Sequence, residues 1–378
     1  MACVQFSHTQ LCGIKTVVPE HFIDIDDELK YYDYNPKKLA RLKKMVGYGR
    51  RYIADDNTTV TDMAVDAAEK LLEEMQIPRD AIDLLIFVNQ KPDYTEPCDA
   101  CLAHGRLGLP KSCTSLNLNL GCSGYVHALL TAHALLSSGA YSSCLLLAGD
   151  LSSRATDQAN RKAAQVFGDA ASATVLRHTA EARQATFVTG TDGSGWDKVI
   201  HPFGGMRLPF DTETIALSVE DGNGNIWTSR QGLMNGEDIF KFTMDIAPAL
   251  LADTLAAAGW SPGEVDLFAI HQANRQIVEN IIDQAQIPAD RTPCDVFTRY
   301  ANNSTTSVVT VLCDQPQGKS LARVVLCTFG IGLSWGGAAL DLSGMYNGGI
   351  DTYVAPSGKP SRAEQINHWI SYFKGENA

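Results

Sequence analysis

Two stretches of the chain repeat one another at long range, and this repetition constrains the fold more than any other feature. "IPRDAIDLLIFVNQ" (77–90) and "WSPGEVDLFAIHQ" (260–272) each run through a proline turn into an apolar strand, with Ile82-Asp83-Leu84 answering Val265-Asp266-Leu267. Each follows a helical pattern, "TDMAVDAAEKLLEEMQ" in the first half and "DIFKFTMDIAPALLADTLAAAG" in the second. Farther on, "SSCLLLAGD" (142–150) answers "ARVVLCTFG" (322–330), and "FGDAASATVL" (167–176) answers "WGGAALDL" (335–342). Runs such as "DLLIFV" and "CLLLAG" are too continuously apolar for a sheet with one wet face. They predict central strands covered by helices on both sides, hence an α/β chain of two similar halves stacked in layers.

At 378 residues the chain exceeds the size at which one core stops growing, which agrees with two core-bearing units. The expected division is 1–180 for the first half, 181–342 for the second and 343–378 for a C-terminal extension.

Ligands of α/β folds collect where strand ends meet, so residues at equivalent ends of the two halves are the candidates for chemistry. In "NLNLGCSGY" (117–125), Cys122 stands between an alternating strand-like run and the helical "VHALLTAHALLSSG". A cysteine at a helix N-terminus gains from the helix dipole, which favours the thiolate. Gly121 and Gly124 permit a sharp turn and close approach, and the Cys122 N–H is placed for a developing oxyanion. A buried structural cysteine in a glycine turn fits the same pattern. His271 ends the second-half strand "DLFAI", and Asn302, in "YANNST", precedes the helical run that answers the Cys122 helix. Either residue alone fits ordinary turn or strand-end chemistry. Their placement at equivalent ends of a repeated fold sets the three apart.

These residues carry a resemblance. Gly121-Cys122-Ser123-Gly124, His271-Gln272-Ala273-Asn274, Tyr300-Ala301-Asn302-Asn303-Ser304, Phe167-Gly168-Asp169-Ala170-Ala171 and the closing "FGIGLSWGGAAL" (329–340) together resemble the β-ketoacyl-acyl-carrier-protein synthase III family of the thiolase superfamily. The likeness spans residues 5–342. It implies a thiolase fold, layered α-β-α-β-α, and a homodimer.

It also implies a decarboxylative condensation in fatty acid or secondary-metabolite biosynthesis. Cys122 would take an acyl group from coenzyme A or an acyl-carrier protein as a thioester. His271 and Asn302 would then hydrogen-bond the carbonyl of malonyl thioester as CO2 leaves, and the carbanion would attack the acyl-Cys. The N–H groups of Cys122 and Ile331 would form a second oxyanion site. Arg154, Lys241 and Asn274 match family positions near the pantetheine channel or the carrier docking face. No permanently bound cofactor and no metal are implied; the acyl carriers are substrates.

The chain departs from the family in three places. The adenine-end Trp and Arg are answered by Arg41 and Met45, which removes an aromatic stack and leaves room for a carrier protein as donor. In "KPDYTEPCDACLAHG" (91–105), either Glu96 or Tyr94 stands where members place a Phe capping the partner's acyl pocket. Beyond residue 342, "SRAEQINHWISYFK" (361–374) predicts an added helix, with a Ser361–Glu364 capping box and Ile366, Trp369, Ile370 and Phe373 on one face.

Other readings fit less well. Cys98-x-x-Cys101-x-x-His104 has a metal-like spacing without a second pair, and shared helix-face packing accounts for it. Acyl transfer to an alcohol or amine keeps Cys122 but does not require the His–Asn pair. Hydroxymethylglutaryl-coenzyme A synthase chemistry needs a glutamate near the position held by Lys91, chalcone-synthase-like chemistry needs a loop this chain lacks, and a non-catalytic partner subunit would have lost Cys122. A net charge of -12 argues against nucleic-acid binding. Without a bilayer-length apolar run or signal peptide, the expectation is a cytoplasmic protein with reduced cysteines.

Overall fold

The computed structural model describes residues 1–157, 160, 163–222, 224–316 and 318–375. The repeated segments occupy matching positions in two sheets. In the first, Leu84–Val88 lies parallel to Ser143–Asp150, which pairs antiparallel with Ala170–His178. In the second, Leu267–Ile270 lies parallel to Arg323–Gly330, which pairs antiparallel with Ser334–Asp341. All thirteen residues of Leu84–Val88 and Ser143–Asp150 are buried, as expected of strands covered on both faces.

Three apolar clusters define the layers. One lies outside the first sheet, where Met63, Ala64 and Leu71 of helix Val60–Glu74 cover Leu85 and Leu147. Another lies outside the second sheet, where Leu250 and Leu251 of helix Gly236–Ala258 cover Phe268 and Val325. Between the sheets sits the third, joining Tyr125, Leu129 and Leu136 of helix Gly124–Ser137 to Val308, Val309 and Leu312 of helix Ser307–Cys313. The arrangement is therefore α-β-α-β-α, the layering that the resemblance implies.

The chain ends cross between the halves. Strand Ala2–Phe6 joins the second sheet beside Ala185–Thr191, while strand Tyr346–Tyr353 joins the first sheet beside Thr9–Pro19. The sequence pattern predicts neither placement, because both strands are edge strands and "YNGGIDTY" has no apolar alternation. Buried Lys15 secures the tail strand: its Nζ lies 2.7 Å from Glu74 and 2.9 Å from Asp351, and donates to Gly348 O at 2.9 Å. The predicted tail helix forms over Arg362–Lys374 behind the Ser361–Glu364 capping box. Ile366, Trp369, Ile370 and Phe373 are exposed on it, and Trp369 meets the ring of Tyr94 edge-on.

Candidate active site

The candidate residues reach one place because both halves end their central strands there. A cavity of about 640 Å³ opens at those ends, lined by Cys122, His271, Asn302, Asn274 and Ile331. Its wall is largely apolar, with Phe167, Val199, Ile239, Phe240 and Phe329 contributing.

Cys122 follows strand Thr114–Leu118 and lies two residues before helix Gly124–Ser137. The turn closes through Gly124 N donating to Gly121 O at 2.6 Å. A glycine is required at 330, since a Cβ there would stand 2.7 Å from the Cys122 Cβ. One at 121 would stand 2.5 Å from the Gln90 Oε1. The backbone N–H groups of Cys122 and Ile331 both reach the sulphur, and the Ser304 hydroxyl lies 3.8 Å from it.

The thiol contradicts one sequence expectation. Burial, the largest influence, pushes Cys122 up to about 11, and the Asp150 carboxylate adds to the rise. The hydrogen bonds from Ser304, Cys122 and Ile331 oppose this without overcoming it. The helix dipole favours a thiolate, but the desolvation cost is larger and, among the described residues, no cation pairs with the sulphur. The resting state is therefore a thiol. Alkylation of Cys122 by iodoacetamide, followed on its own peptide by mass spectrometry, is expected to quicken about tenfold per unit between about pH 7 and about pH 10. A rate already level near neutrality would refute the buried-thiol description.

His271 is fixed through its backbone and its neighbour. Its N–H donates to Cys327 O at 2.8 Å. Gln272 then ties the turn down, donating from Nε2 to Ile270 O and Pro293 O at 3.0 Å each and accepting at Oε1 from Phe297 N at 3.2 Å. The imidazole packs edge-on against Phe329, and burial lowers its pKa to about 4, so it is neutral at physiological pH. A neutral ring can donate one hydrogen bond into the cavity.

Asn302 is aligned by the strap that precedes it. Asn302 N donates to Val166 O at 2.9 Å and Asn302 O accepts from Gly168 N at 3.1 Å, which locks the loop to Phe167-Gly168-Asp169. Asp169 anchors that strap in turn, accepting from Ala54 N and Ser153 N at 2.9 Å each. Asn302 Oδ1 accepts from Ser304 N at 2.9 Å, leaving the amide Nδ2 as the donor that faces the cavity. Ala301 and Ser304, on either side, hold positive φ values of 59° and 50°, a strained backbone that fixed surroundings must maintain.

Asp150 is a residue sequence reasoning missed. It ends the buried strand Ser143–Asp150, accepts from Gln90 N at 3.0 Å, and takes the Thr305 hydroxyl at 2.5 Å. One carboxylate thus joins the first-half floor of the site to the Asn302 loop. The signal for it was a charged residue closing an otherwise apolar central strand. Lys91 and His201 also line the cavity without having been singled out as site residues.

Other expected residues lie outside the cavity or serve locally. Asn274 lines the wall and caps helix Arg275–Ala285 by accepting from Ile277 N at 2.9 Å. Arg154 is exposed, its guanidinium donating to Asp55 O at 2.6 Å, and Lys241 is exposed on helix Gly236–Ala258; neither lines the cavity. Arg41, Met45, Tyr94 and Glu96 likewise lie outside it. The Cys98 and Cys101 sulphurs are 3.7 Å apart, while His104 Nε2 meets Pro110 O at 3.1 Å rather than joining them. Among the described residues, no cluster of metal-ligating side chains is present and no helix is long and apolar enough to cross a membrane.

Comparison with known proteins gives the family. Residues 116–193 match the model of the 3-oxoacyl-[acyl-carrier-protein] synthase III family, and residues 255–342 match the model of that enzyme's C-terminal region. A Campylobacter jejuni protein that carries the name of a 3-oxoacyl-[acyl-carrier-protein] synthase 3 is 34% identical over 93% of this chain and 98% of its own length. A Symbiobacterium thermophilum β-ketoacyl-[acyl-carrier-protein] synthase III is 28% identical over 87% of this chain and 97% of its own. The solved structure of a Burkholderia xenovorans 3-oxoacyl-(acyl-carrier protein) synthase superposes with a TM-score of 0.85 at 32% identity, covering 93% of this chain and 99% of that one. With its repeated layers, its strand-end cavity and these full-length likenesses, the chain belongs to the 3-oxoacyl-[acyl-carrier-protein] synthase III family of condensing enzymes.

Proposed function

We propose that the enzyme joins an acyl thioester to malonyl thioester, carried by an acyl-carrier protein, with loss of CO2 to give a 3-ketoacyl thioester. The observation that carries this reading is the convergence of Cys122, His271 and Asn302 on one cavity, with two backbone N–H groups at the sulphur. In the first step the Cys122 sulphur bonds to the acyl carbon, the donor's C–S bond breaks, and the thiol proton passes to the departing carrier thiol. The N–H groups of Cys122 and Ile331 stabilise the tetrahedral oxyanion. In the second step the neutral His271 imidazole and the Asn302 amide hydrogen-bond the malonyl thioester carbonyl. CO2 departs, the enolate carbon attacks the acyl-Cys carbonyl, and Cys122 is released as the leaving thiolate.

Neutral donors suit an enolate that must both form and react. A charged histidine would hold it more tightly, and burial keeps His271 neutral. Coenzyme A or an acyl-carrier protein serves as the donor, Arg154 and Lys241 provide surface cations for an acidic carrier, and the working unit is a homodimer. The domain division at residues 180 and 342 belongs to the same proposal.

The test is intact-protein mass after exposure to an acyl-thioester panel, followed by a malonyl-carrier chase. The expected result is an adduct absent from Cys122→Ala, discharged by the chase as a 3-keto product two carbons longer. An adduct that leaves only to an alcohol, an amine or water would replace condensation with simple acyl transfer.

A further inference from the structure

Lys91 puts a positive charge where a plain fatty chain would need none. It follows Gln90, whose side chain abuts Gly121 and whose N–H is held by Asp150, so it stands at the nucleophile end of the cavity. Its backbone is restrained. Asn89 Nδ2 donates to Lys91 O at 3.4 Å and to Asp99 Oδ2 at 2.6 Å, while Asp93 N donates to Asp99 Oδ1 at 3.0 Å. Among the described residues, the ammonium has neither an ion-pair nor a hydrogen-bond partner.

The nearby carboxylates are already engaged. Asp150 accepts from Gln90 N and Thr305, Asp169 from Ala54 and Ser153, and Asp221 accepts the Asn225 amide on both oxygens. Asp150 and Asp169 exert a field on Lys91 without pairing with it. Among the described lining residues Lys91 is the cation, since burial holds His271 neutral, and desolvation together with the Lys91 charge lowers His201. Burial also lowers Lys91, to about 8, the cost of a desolvated ammonium without a counter-ion. An incoming anion would offset that cost.

Resting on the condensing-enzyme reading, we propose that Lys91, with His201 as a second donor, binds a terminal carboxylate on the acyl group carried by Cys122. The starter would thus be the half-thioester of a dicarboxylic acid rather than a plain fatty acyl group. A pantetheine phosphate does not fit this position, because it lies a full arm's length from the thioester. In the acylation step the sulphur bonds to the thioester carbon, the carrier C–S bond breaks, the thiol proton goes to the carrier thiol, and the distal carboxylate takes no part.

The malonyl carboxylate is the other source of the same chemistry, and the acylation half-reaction alone separates the two. Wild type, Lys91→Met and Lys91→Arg would be exposed, without malonyl thioester, to succinyl-, glutaryl- and adipyl-coenzyme A. Each is paired with the branched acyl-coenzyme A in which an isopropyl group replaces the terminal carboxylate. The same pairs would be presented on a phosphopantetheinyl carrier protein, with circular dichroism to confirm that each variant folds. The rate of Cys122 adduct formation by intact mass is the readout.

For wild type, at least one carboxylated acyl group is expected to load about tenfold or more faster than its branched isostere. Lys91→Met should erase or invert that ratio, and Lys91→Arg should keep most of it. The inference fails if wild type favours the branched member at every length, if no carboxylated acyl group loads from either carrier, or if Lys91→Met leaves the ratio unchanged. The last result, joined to a slower malonyl chase, would assign Lys91 to the malonyl carboxylate. If the ratio behaves as expected but the chase yields no 3-keto product, the carboxylate site stands and the condensation reading falls.

Discussion

Alanine at His271, or aspartate at Asn302, is expected to slow condensation by about 10²- to 10³-fold while leaving acylation of Cys122 within about tenfold of wild type. The split follows from which groups serve each step. On the proposed mechanism, acylation relies on the backbone N–H groups of Cys122 and Ile331, which neither substitution removes. On the same proposal, condensation relies on side-chain donors directed at the malonyl carbonyl. Asn302→Asp is the sharper variant, because the carboxylate retains the acceptor for Ser304 N and so preserves the strained loop. The His271 turn should survive truncation, since Gln272 pins it at Ile270, Pro293 and Phe297. Rapid-quench measurement of adduct formation, then of its decay with malonyl-carrier protein, resolves the two steps. Equal losses in both would mean that the pair orders the cavity as a whole and is not reserved for the enolate.

What the sequence disclosed follows from the range of the forces involved. The central strands were legible because burial on both faces demands an unbroken apolar run, and the repeat fixed their equivalence. Cys122, His271 and Asn302 were legible because each stands at a repeated strand or helix end, a position that can be named before any contact is known. The edge strands Ala2–Phe6 and Tyr346–Tyr353 were not: each draws its stability from a sheet built by the other half of the chain. Asp150 and Lys91 were hidden for a related reason. Their surroundings come from segments far apart in the chain, among them Gly121, His201 and Thr305. The thiolate expectation failed because a helix end is visible in sequence, whereas the desolvation that outweighs it depends on the side chains that the fold packs around the sulphur.

The same desolvation gives the fold a sensitivity to acid through a residue remote from the chemistry. His133, on the helix that follows Cys122, is buried against Phe6 and Phe187 of the second sheet, with Nδ1 hydrogen-bonded to the Thr9 hydroxyl at 2.5 Å. Burial lowers its pKa from the usual 6.5 to about 3. In the unfolded chain it takes a proton near about pH 6.5, whereas in the folded chain it stays neutral until about pH 3. Proton uptake below about pH 6.5 therefore favours the unfolded state, and stability falls as the pH drops through this window. At about 1.4 kcal/mol per unit, His133 alone should cost about 2–3 kcal/mol between about pH 6.5 and about pH 4.5. Asp99, raised to about 6 chiefly by burial, acts in the opposite sense, so the histidine must be isolated by difference. Urea unfolding of wild type and His133→Gln at fixed protein concentration provides that difference. Wild type should lose stability more steeply on acidification, with the gap closing toward neutral pH. Parallel curves for the two proteins would mean that His133 is protonated in the folded state and that the contact between the central helix and the second sheet tolerates its charge.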